Sequence, residues 1–376
     1  MSVSVILGNA IVPHEPLVSV CIPAYNHEPY IGAAIESVLA QTIQDFEIVV
    51  TDDCSLDGTR DVVASFRDDR IRLLTLPRNS GPSVAANNNI RHARGAFIAL
   101  LASDDTFRAD KIEVQLKVLR DEPQVGVVFS GMNYIDENGD AFHGENALAV
   151  ADQPNRGRAE WYRHFLLAGN PFSAPTAMMR RSVLPSPAPF DPRFLQVQDF
   201  DLWIRIGFQH DFFIVPEKLI NYRVRPDAAN ASANSVRQQA RSWWEYERML
   251  GNLLDMPDDL ATAAFGGDRD VRRMALPTAA RIALVALDSP VVYIRTFALN
   301  AMFDLLGDPE MAGSLERAGF DYPWLFKTAA EVDPYGVERH DFCVTQMTNW
   351  EAAYRGAMTL LERSQIELAE ARSAPT

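Results

Sequence analysis

Short apolar runs alternate with amphipathic helical patterns along the first third of the chain. The helical patterns place apolar side chains on one face, as Ile31, Ile35, Val38 and Leu39 do. The apolar runs are short and continuous, which predicts five buried strands at 18–22, 46–51, 71–76, 96–101 and 125–130. Because such strands must be covered on both sides, we expect an α/β fold with a mostly parallel sheet and helices on both faces.

Two residues predict where helices begin and end. Asn26 precedes the first helical pattern and is a suitable N-cap, and Pro29 suits the first turn of that helix. Gly95 follows a helical pattern over 83–93 and is predicted to form its C-terminal cap.

The pattern changes twice further along the chain. Residues from about 140 to 230 are irregular and rich in proline, which is typical of long loops that carry binding function. From about residue 232 onward, amphipathic helical segments follow one another. We therefore expect an N-terminal extension at 1–15, an α/β domain at 16–235, an all-helical C-terminal domain at 236–372 and a disordered tail at 373–376.

Composition excludes several classes of protein. The chain has 376 residues, of which 47% are apolar, so it can build a sizeable core. Its formal net charge of -15 argues against a nucleic-acid partner and against docking on anionic lipid. No apolar run approaches the roughly 20 residues that span a bilayer. We expect at most peripheral membrane contact.

The N-terminal segment and the cysteines bear on location. The first residues have no basic segment before their apolar stretch, so we expect no signal peptide. The three cysteines lie far apart and imply no disulfide framework, and Cys21 is predicted to be a buried apolar residue. These features favour a reducing compartment and a cytoplasmic protein.

Polar clusters follow three of the predicted strands. Tyr25-Asn26, Asp52-Asp53 and Asp104-Asp105 each stand where a strand ends. In sheets of this type, ligands bind at the carboxyl ends of the strands. Three clusters at one edge of one sheet therefore indicate a binding site more strongly than any one of them does.

Each cluster has a functional and a structural interpretation. Asp104-Asp105 offers carboxylate oxygens to Mg²⁺ or Mn²⁺, which are often shared with substrate phosphates, but adjacent aspartates also end strands. Asp53 could accept a hydrogen bond from a nucleobase or a ribose, or serve the local turn. Tyr25, in Pro23-Ala24-Tyr25-Asn26, could stack on a nucleobase or be a half-buried structural tyrosine.

A fourth acidic motif, Gln198-Asp199-Phe200-Asp201, opens a helical pattern far along the chain. The helix dipole favours the ionised form of a carboxylate near a helix start, and a positioned carboxylate is what a general base requires. The alternative is that Asp199 only caps the helix.

Taken together, these segments carry a family resemblance. VSVCIPAYNHEPYIGAAIESVLAQT, DFEIVVTDDCSLDGT and NSGPSVAANNNIRHARGAFIALLASDD resemble the nucleotide-binding half of the family 2 glycosyltransferases, which have the Rossmann-like GT-A fold. QDFDLWIRI resembles their later acidic motif, and NYRVRPDAANAS resembles the segment that closes their catalytic domain. The resemblance covers about residues 16–235, which implies a nucleotide-binding half at 16–135 and an acceptor-side half at 136–235. It says nothing of residues 240–376.

The resemblance implies a role for each motif residue. It places Pro23, Ala24, Tyr25, Asn26 and Asp53 around the donor nucleotide, with Asp53 on a uracil-type base. It also implies that Asp104 contacts the donor ribose or sugar and that Asp105 ligates a divalent metal, Mn²⁺ or Mg²⁺. By the same resemblance, Asp199 deprotonates the acceptor hydroxyl in an inverting displacement. The expected partners are a nucleotide-sugar donor and a saccharide or lipid-linked acceptor, and the expected process is surface polysaccharide or glycolipid synthesis.

The chain departs from the family pattern at three positions. Ala86 and Asn89 stand where many relatives have an arginine and a glycine, and Arg225 stands where a histidine is common. A contact to the diphosphate is therefore missing or moved. Arg225 is a candidate to supply positive charge to the donor, which would reduce the need for the metal.

Three functions other than a transferase make different demands on the sequence. A sugar nucleotidyltransferase would need a Gly-rich, basic loop after the first strand, and a dehydrogenase would need G-x-G-x-x-G there; PAYNHEPY is neither. A non-catalytic nucleotide-sugar scaffold remains as an alternative from another class. In the last helical pattern, Tyr354, Ala357, Leu361 and Leu368 fit a homo-oligomer seam or a core face equally well.

Overall fold

The computed structural model describes residues 5–7, 10–12, 15–142, 153–225, 236–266 and 275–337, with isolated residues between 345 and 358. Two compact units are present, Met1–Ala318 and Gly319–Thr376. The predicted domain boundary at 236 and the N-terminal extension stay predictions. The predicted tail at 373–376 and most of the last helical pattern lie outside the described residues.

An eight-stranded sheet forms the centre of the first unit. Its strands are β3 to β10, in the spatial order β5-β4-β3-β6-β9-β8-β10-β7. Six strands run in the same direction, and only β7 and β9 are antiparallel to their neighbours. The bounds are Val18–Ala24 (β3), Phe46–Asp52 (β4), Ile71–Thr75 (β5), Phe97–Leu100 (β6), Thr106–Phe107 (β7), Val125–Ile135 (β8), Met178–Arg180 (β9) and Asp211–Arg223 (β10). Two further short strands, β1 (Val5–Leu7) and β2 (Ala10–Val12), pair separately. The predicted mostly parallel sheet is confirmed.

Helices cover both faces of this sheet. Their bounds in the α/β region are Ile31–Leu39 (α1), Thr59–Ser65 (α2), Pro82–His92 (α3), Lys111–Asp121 (α4), Arg158–Ala168 (α5) and Gln198–Gly207 (α6). Successive side chains along a strand point to opposite faces of the sheet, so one strand contributes residues to the packing on both faces. Val18, Val20 and Ile22 of β3 belong to a buried core with residues of α1 and α4. On the opposite face, Thr51 of β4 hydrogen-bonds Asn89 of α3.

The second face carries a large aromatic core. Phe129 of β8 stacks on Phe172 with 3.9 Å between ring centroids and meets Trp203 of α6 edge-on at 5.0 Å. Trp161 and Phe165 of α5 extend the same cluster around Phe172. Because such rings bury large apolar areas, this cluster fixes α5 and α6 against the sheet.

Three sequence-based expectations for local structure are wrong. Helix α1 begins at Ile31 with Tyr30 as N-cap, so Asn26 does not cap it and Pro29 precedes its first turn. Helix α3 ends at His92, and Gly95 does not adopt a left-handed cap. Instead, a Cβ at Gly95 would lie 2.5 Å from the backbone nitrogen of Ser19, so glycine is needed for close approach to β3.

The region predicted to be irregular is more regular than its proline content suggests. It contains α5, β9, α6 and the 13-residue strand β10. Strand β10 pairs with β8 through three register shifts, one of which spans Pro216, and these shifts interrupt the alternation that a sequence pattern would need. The apolar periodicity was therefore hidden by a bulged strand.

The chain after residue 235 is helical wherever it is described. Helices in the first unit are Val236–Leu250 (α7), Asp258–Phe265 (α8), Thr278–Leu287 (α9), Val292–Gly307 (α10) and Pro309–Arg317 (α11), and Tyr322–Val332 (α12) belongs to the second unit. Tyr246 of α7 packs against Phe200 and Tyr293, while Trp243 and Trp244 are more than half exposed. Within the described residues, we find no helix with the length and apolarity to cross a membrane.

Candidate functional site

The carboxyl ends of β3, β4 and β6 meet at one cavity of about 650 Å³. Further lining residues come from the segment before α6, the first turn of α6, the end of β10 and helix α7. The cavity thus gathers residues that are far apart in the chain, from Pro23 to Arg241, a separation of 218 positions. The sequence-predicted residues that line it are Pro23, Ala24, Tyr25, Asp53, Asp104, Asp105, Asp199 and Arg225.

Asp53 closes the turn that leads into α3. One carboxylate oxygen accepts the N–H of Ser80 at 2.7 Å, and the other accepts the N–H of Gly81 at 2.8 Å. Gly81 has a φ of 92°, a conformation that favours glycine. Burial raises the pKa of Asp53, and the two backbone hydrogen bonds oppose that rise. Each oxygen keeps a lone pair, so a nucleobase N–H could still be accepted from the cavity.

Asp105 is held rigidly at the base of the cavity. Its Oδ1 accepts the N–H of Arg223 at 2.8 Å, and the Arg223 guanidinium donates to the Asp104 carbonyl at 2.8 Å. Asp105 is 1% exposed. Burial raises its pKa well above the ordinary value, and the neighbouring Asp104 carboxylate adds to the rise.

Asp104 sits between two basic side chains. Its Oδ2 lies 3.1 Å from Nε of Arg225 and 3.9 Å from Nε2 of His27. His27 Nδ1 is 2.6 Å from the hydroxyl oxygen of Ser103. Burial lowers the pKa of His27, although the Asp104 carboxylate works in the opposite direction. Asp104 therefore contributes a carboxylate whose charge is already balanced by Arg225.

The acidic pair fits a divalent cation that is shared with a ligand. Oδ2 of Asp105 is buried and has no hydrogen-bond partner among the described residues. A buried carboxylate oxygen without a hydrogen-bond partner suits a hard cation such as Mg²⁺ or Mn²⁺. Within the described part of the chain, no group of three or more His, Cys, Asp and Glu residues could hold a metal by itself. The remaining ligands would therefore come from a diphosphate and water.

Asn26 is the one predicted site residue that does not line the cavity. It has a φ of 52°, which asparagine tolerates better than most residues. Its side-chain oxygen accepts the N–H of Leu56 at 2.8 Å, and its own N–H donates to the Ser55 hydroxyl. Asn26 thus ties the end of β3 to the loop after β4, next to Tyr25, which faces the cavity and is 38% exposed.

Of the departures from the family pattern, Asn89 has a clear contact. Its side-chain oxygen is 2.5 Å from the Thr51 hydroxyl, and Asn89 is fully buried between α3 and β4. Ala85, the neighbour of Ala86, lines the cavity, whereas Ala86 does not. Positive charge toward a diphosphate must therefore come from elsewhere, and Arg225 lines the same cavity.

Asp199 lies in the first turn of α6 and faces the cavity. Its Oδ1 accepts the N–H of Phe200 at 2.7 Å, and Asn170 donates to Oδ2 at 3.5 Å. Burial nevertheless raises the pKa of Asp199 to about 6. Near neutral pH it is mostly ionised, and it can accept and release a proton close to that pH.

Asp201, two residues later, has a structural environment. It is 2% exposed, its Oδ2 pairs with Arg205 at 2.5 Å, and its Oδ1 accepts from Asn252 at 2.5 Å. The motif thus divides between a carboxylate on the cavity and one that fixes α6 to the turn after α7.

Because Asp201 has a structural environment, Asp201→Asn is expected to affect stability and not turnover. Asp201→Asn should lower the free energy of unfolding by about 1–3 kcal/mol, because hydrogen bonds to a charged acceptor are lost or weakened. Activity per folded molecule should stay within about threefold, since Asp201 does not line the cavity. Urea denaturation with parallel kinetics measures both. A large loss of turnover at unchanged stability would contradict this assignment.

Several residues at the site were not identified from the sequence. His27, Ser103, Gln198 and Arg241 all line the cavity. His27 stands in the PAYNH segment, where a polar residue after the first strand was a usable signal. No sequence signal marked Arg241, because its place at the cavity depends on the packing of α7.

Comparisons with known proteins agree with this geometry. The family model described as Glycosyl transferase family 2 matches residues 19–185. The UDP-Glc:alpha-D-GlcNAc-diphosphoundecaprenol beta-1,3-glucosyltransferase WfgD of Escherichia coli is 31% identical over 241 residues, which are 64% of this chain and 88% of that protein. The succinoglycan biosynthesis protein ExoO of Rhizobium meliloti (strain 1021) is 50% identical over 97 residues, 26% of this chain and 28% of that protein.

A solved structure supports the fold. The crystal structure of S. aureus TarS 1-349 in complex with UDP-GlcNAc has a TM-score of 0.55 and 19% identity, and the match covers 85% of this chain and 89% of that chain. Sheet, cavity and sequence matches together define a GT-A-like glycosyltransferase. The chain belongs to glycosyl transferase family 2.

Proposed function

We propose that this enzyme transfers a sugar, with inversion at the anomeric carbon, from a UDP-sugar to a hydroxyl of a saccharide or lipid-linked acceptor. The observation that carries the proposal is the convergence of Asp53, Asp104, Asp105 and Asp199 on one cavity. The similarity to WfgD, a UDP-Glc glucosyltransferase, supports a UDP-linked donor, and the similarity to ExoO, a succinoglycan biosynthesis protein, supports a role in polysaccharide synthesis.

The donor would occupy the side of the cavity formed by the strand ends. Tyr25 offers a partly exposed ring beside the nucleobase, and Asp53 accepts a base N–H. Asp104, oriented by Arg225, accepts a hydroxyl of the ribose or the sugar. Asp105 would hold Mn²⁺ or Mg²⁺, which when bound would stabilise the negative charge of the departing diphosphate.

Asp199, in the first turn of α6, acts on the acceptor. Its carboxylate takes the proton of the acceptor hydroxyl as the oxygen attacks the anomeric carbon. Asn170 holds one carboxylate oxygen while the other bonds the Phe200 N–H. A single displacement needs no second catalytic carboxylate on the donor face.

The proposed base sets the pH dependence of turnover. The pKa of Asp199 is raised to about 6, and the base must be deprotonated to act. We therefore expect kcat to be constant above pH 7 and to fall about tenfold per pH unit well below pH 6. Initial rates between pH 4.5 and 8 measure this. A profile that stays flat down to pH 4.5 would show that Asp199 is not the base.

The donor assignment is tested with a panel of nucleotide-sugars. Thermal unfolding with UDP-, GDP-, dTDP- and CMP-sugars, each with and without Mn²⁺, should show stabilisation by a UDP-sugar, strongest with the metal. Slow hydrolysis of the stabilising donor without acceptor should accompany it. Stabilisation by another nucleotide alone would overturn the donor assignment, and binding without hydrolysis or transfer would favour a scaffold.

A further inference from the structure

A buried carboxylate on α7 holds the segment that leads into α6. Glu245 is 2% exposed. Its Oε2 accepts the N–H groups of Leu195, Gln196 and Val197, at 3.2, 2.7 and 3.3 Å. Three consecutive backbone donors on one carboxylate oxygen define the path of this segment, because buried N–H groups require a partner.

The position of this segment determines the position of the proposed base. The carbonyl of Val197 accepts the N–H of Asp201 at 2.9 Å, which closes the first turn of α6. Asp199 lies inside that turn. A shift of Val197 is therefore passed directly to Asp199, since a helical turn moves as a unit.

Helix α7 is also anchored to α10. Glu247 accepts a hydrogen bond from Asn300 of α10 at 2.7 Å. Tyr246 stacks on Tyr293 of α10 with 5.4 Å between ring centroids. Glu245 therefore projects from a helix that also has support outside the segment it holds.

The same carboxylate faces a cavity-lining cation. Oε1 of Glu245 lies 3.6 Å from Nε of Arg241, one helical turn earlier on α7. Arg241 lines the cavity together with Gln196 of the held segment and Gln198 of α6. Glu245 thus connects two parts of the cavity lining that also contains Asp199.

We propose that Glu245 is a positioning residue for transfer: it fixes Leu195–Val197, and through them Asp199, in the geometry that proton removal from the acceptor requires. This inference rests on the proposed function of Asp199. It assigns to the helical part of the chain, outside the matched residues 19–185, a contribution to the reaction.

Three variants separate positioning from general stability. Glu245→Ala removes the acceptor of the three N–H groups, and Glu245→Gln keeps an oxygen at the same place. Glu247→Ala is the matched control, because it breaks a hydrogen bond of α7 that points to α10. The readouts are kcat for hydrolysis of UDP-glucose without acceptor, UDP affinity by calorimetry, and amide hydrogen exchange.

Glu245→Ala should lower kcat about 10- to 100-fold, the range expected for a misplacement near 1 Å. UDP affinity should stay within twofold, since the donor side lies on the strand ends. Glu245→Gln should recover kcat to within about threefold, because its amide oxygen still accepts. A kcat for Glu245→Ala within twofold of the unaltered enzyme would overturn the inference. Parallel losses of kcat and UDP affinity would also overturn it.

Hydrogen exchange tests the contact without reference to activity. The amides of Leu195–Val197 should be protected in the unaltered enzyme and in Glu247→Ala, and should lose protection in Glu245→Ala. Unchanged protection in Glu245→Ala would overturn the inference. If the unaltered enzyme neither hydrolyses nor transfers from any nucleotide-sugar, the proposed function fails, and the exchange result still decides whether Glu245 fixes the segment.

Discussion

Asp199→Asn is expected to lower turnover by about two to four orders of magnitude, the usual contribution of a general base. Asparagine has nearly the same shape as aspartate but cannot take a proton from the acceptor hydroxyl. Its side-chain oxygen can still accept the N–H of Phe200, so α6 should keep its first turn. Stability should be unchanged or slightly higher, because burial disfavours the charge that is removed.

Donor binding distinguishes a catalytic loss from a damaged site. UDP affinity of Asp199→Asn, measured by calorimetry, should lie within about twofold of the unaltered enzyme. The variant leaves Asp53 and Asp105, the residues proposed to bind the donor, unchanged. Asp201→Asn serves as the matched control in the same turn. Turnover of Asp199→Asn within fivefold of normal would remove Asp199 from the mechanism.

Asp105→Asn should abolish the metal-dependent part of donor binding. In the unaltered enzyme, we expect Mn²⁺ to strengthen UDP binding, because Asp105, whose buried Oδ2 has no hydrogen-bond partner among the described residues, would hold a cation that neutralises the diphosphate. The variant should bind UDP about 100-fold more weakly in Mn²⁺, a loss of about 2.7 kcal/mol. Its affinity should then equal that measured in EDTA. The asparagine oxygen can still accept the Arg223 N–H, so the fold is retained.

Two comparisons make this result interpretable. Asp121→Asn, which changes an exposed carboxylate at the end of α4, should keep the full effect of Mn²⁺. If Asp105→Asn also keeps it, Asp105 is not the metal ligand. If UDP binding is independent of Mn²⁺ in the unaltered enzyme, the charge on the diphosphate is balanced by Arg225, and Arg225→Ala should weaken binding instead.

The amino-acid pattern predicts the sheet and the meeting of Asp53 and Asp104 at one edge of it. The apolar runs predicted at 18–22, 46–51 and 96–101 are strands of the same sheet and run in the same direction. Parallel strands bring their carboxyl ends to one edge, so Asp53 and Asp104 lie at one cavity for reasons that the local sequence contains.

Long-range contacts mark the limit of sequence reasoning. His27, which follows β3, contacts Ser103 and Asp104, which follow β6. Glu245 contacts Val197, which lies 48 positions earlier in the chain. No periodicity encodes such pairs. Asn26 and Gly95 show the related difficulty that one residue type serves several local roles. Asparagine and glycine suit helix caps, but here tertiary contacts with Leu56 and Ser19 determine their positions.

The stereochemical outcome of transfer tests the central claim most directly. A single displacement requires that an acceptor deprotonated by Asp199 attacks the anomeric carbon from the face opposite the diphosphate. Proton NMR of the first product formed from an α-linked UDP-sugar should therefore show a β-glycoside. An α-glycoside as the first product would contradict the single displacement and the role given to Asp199.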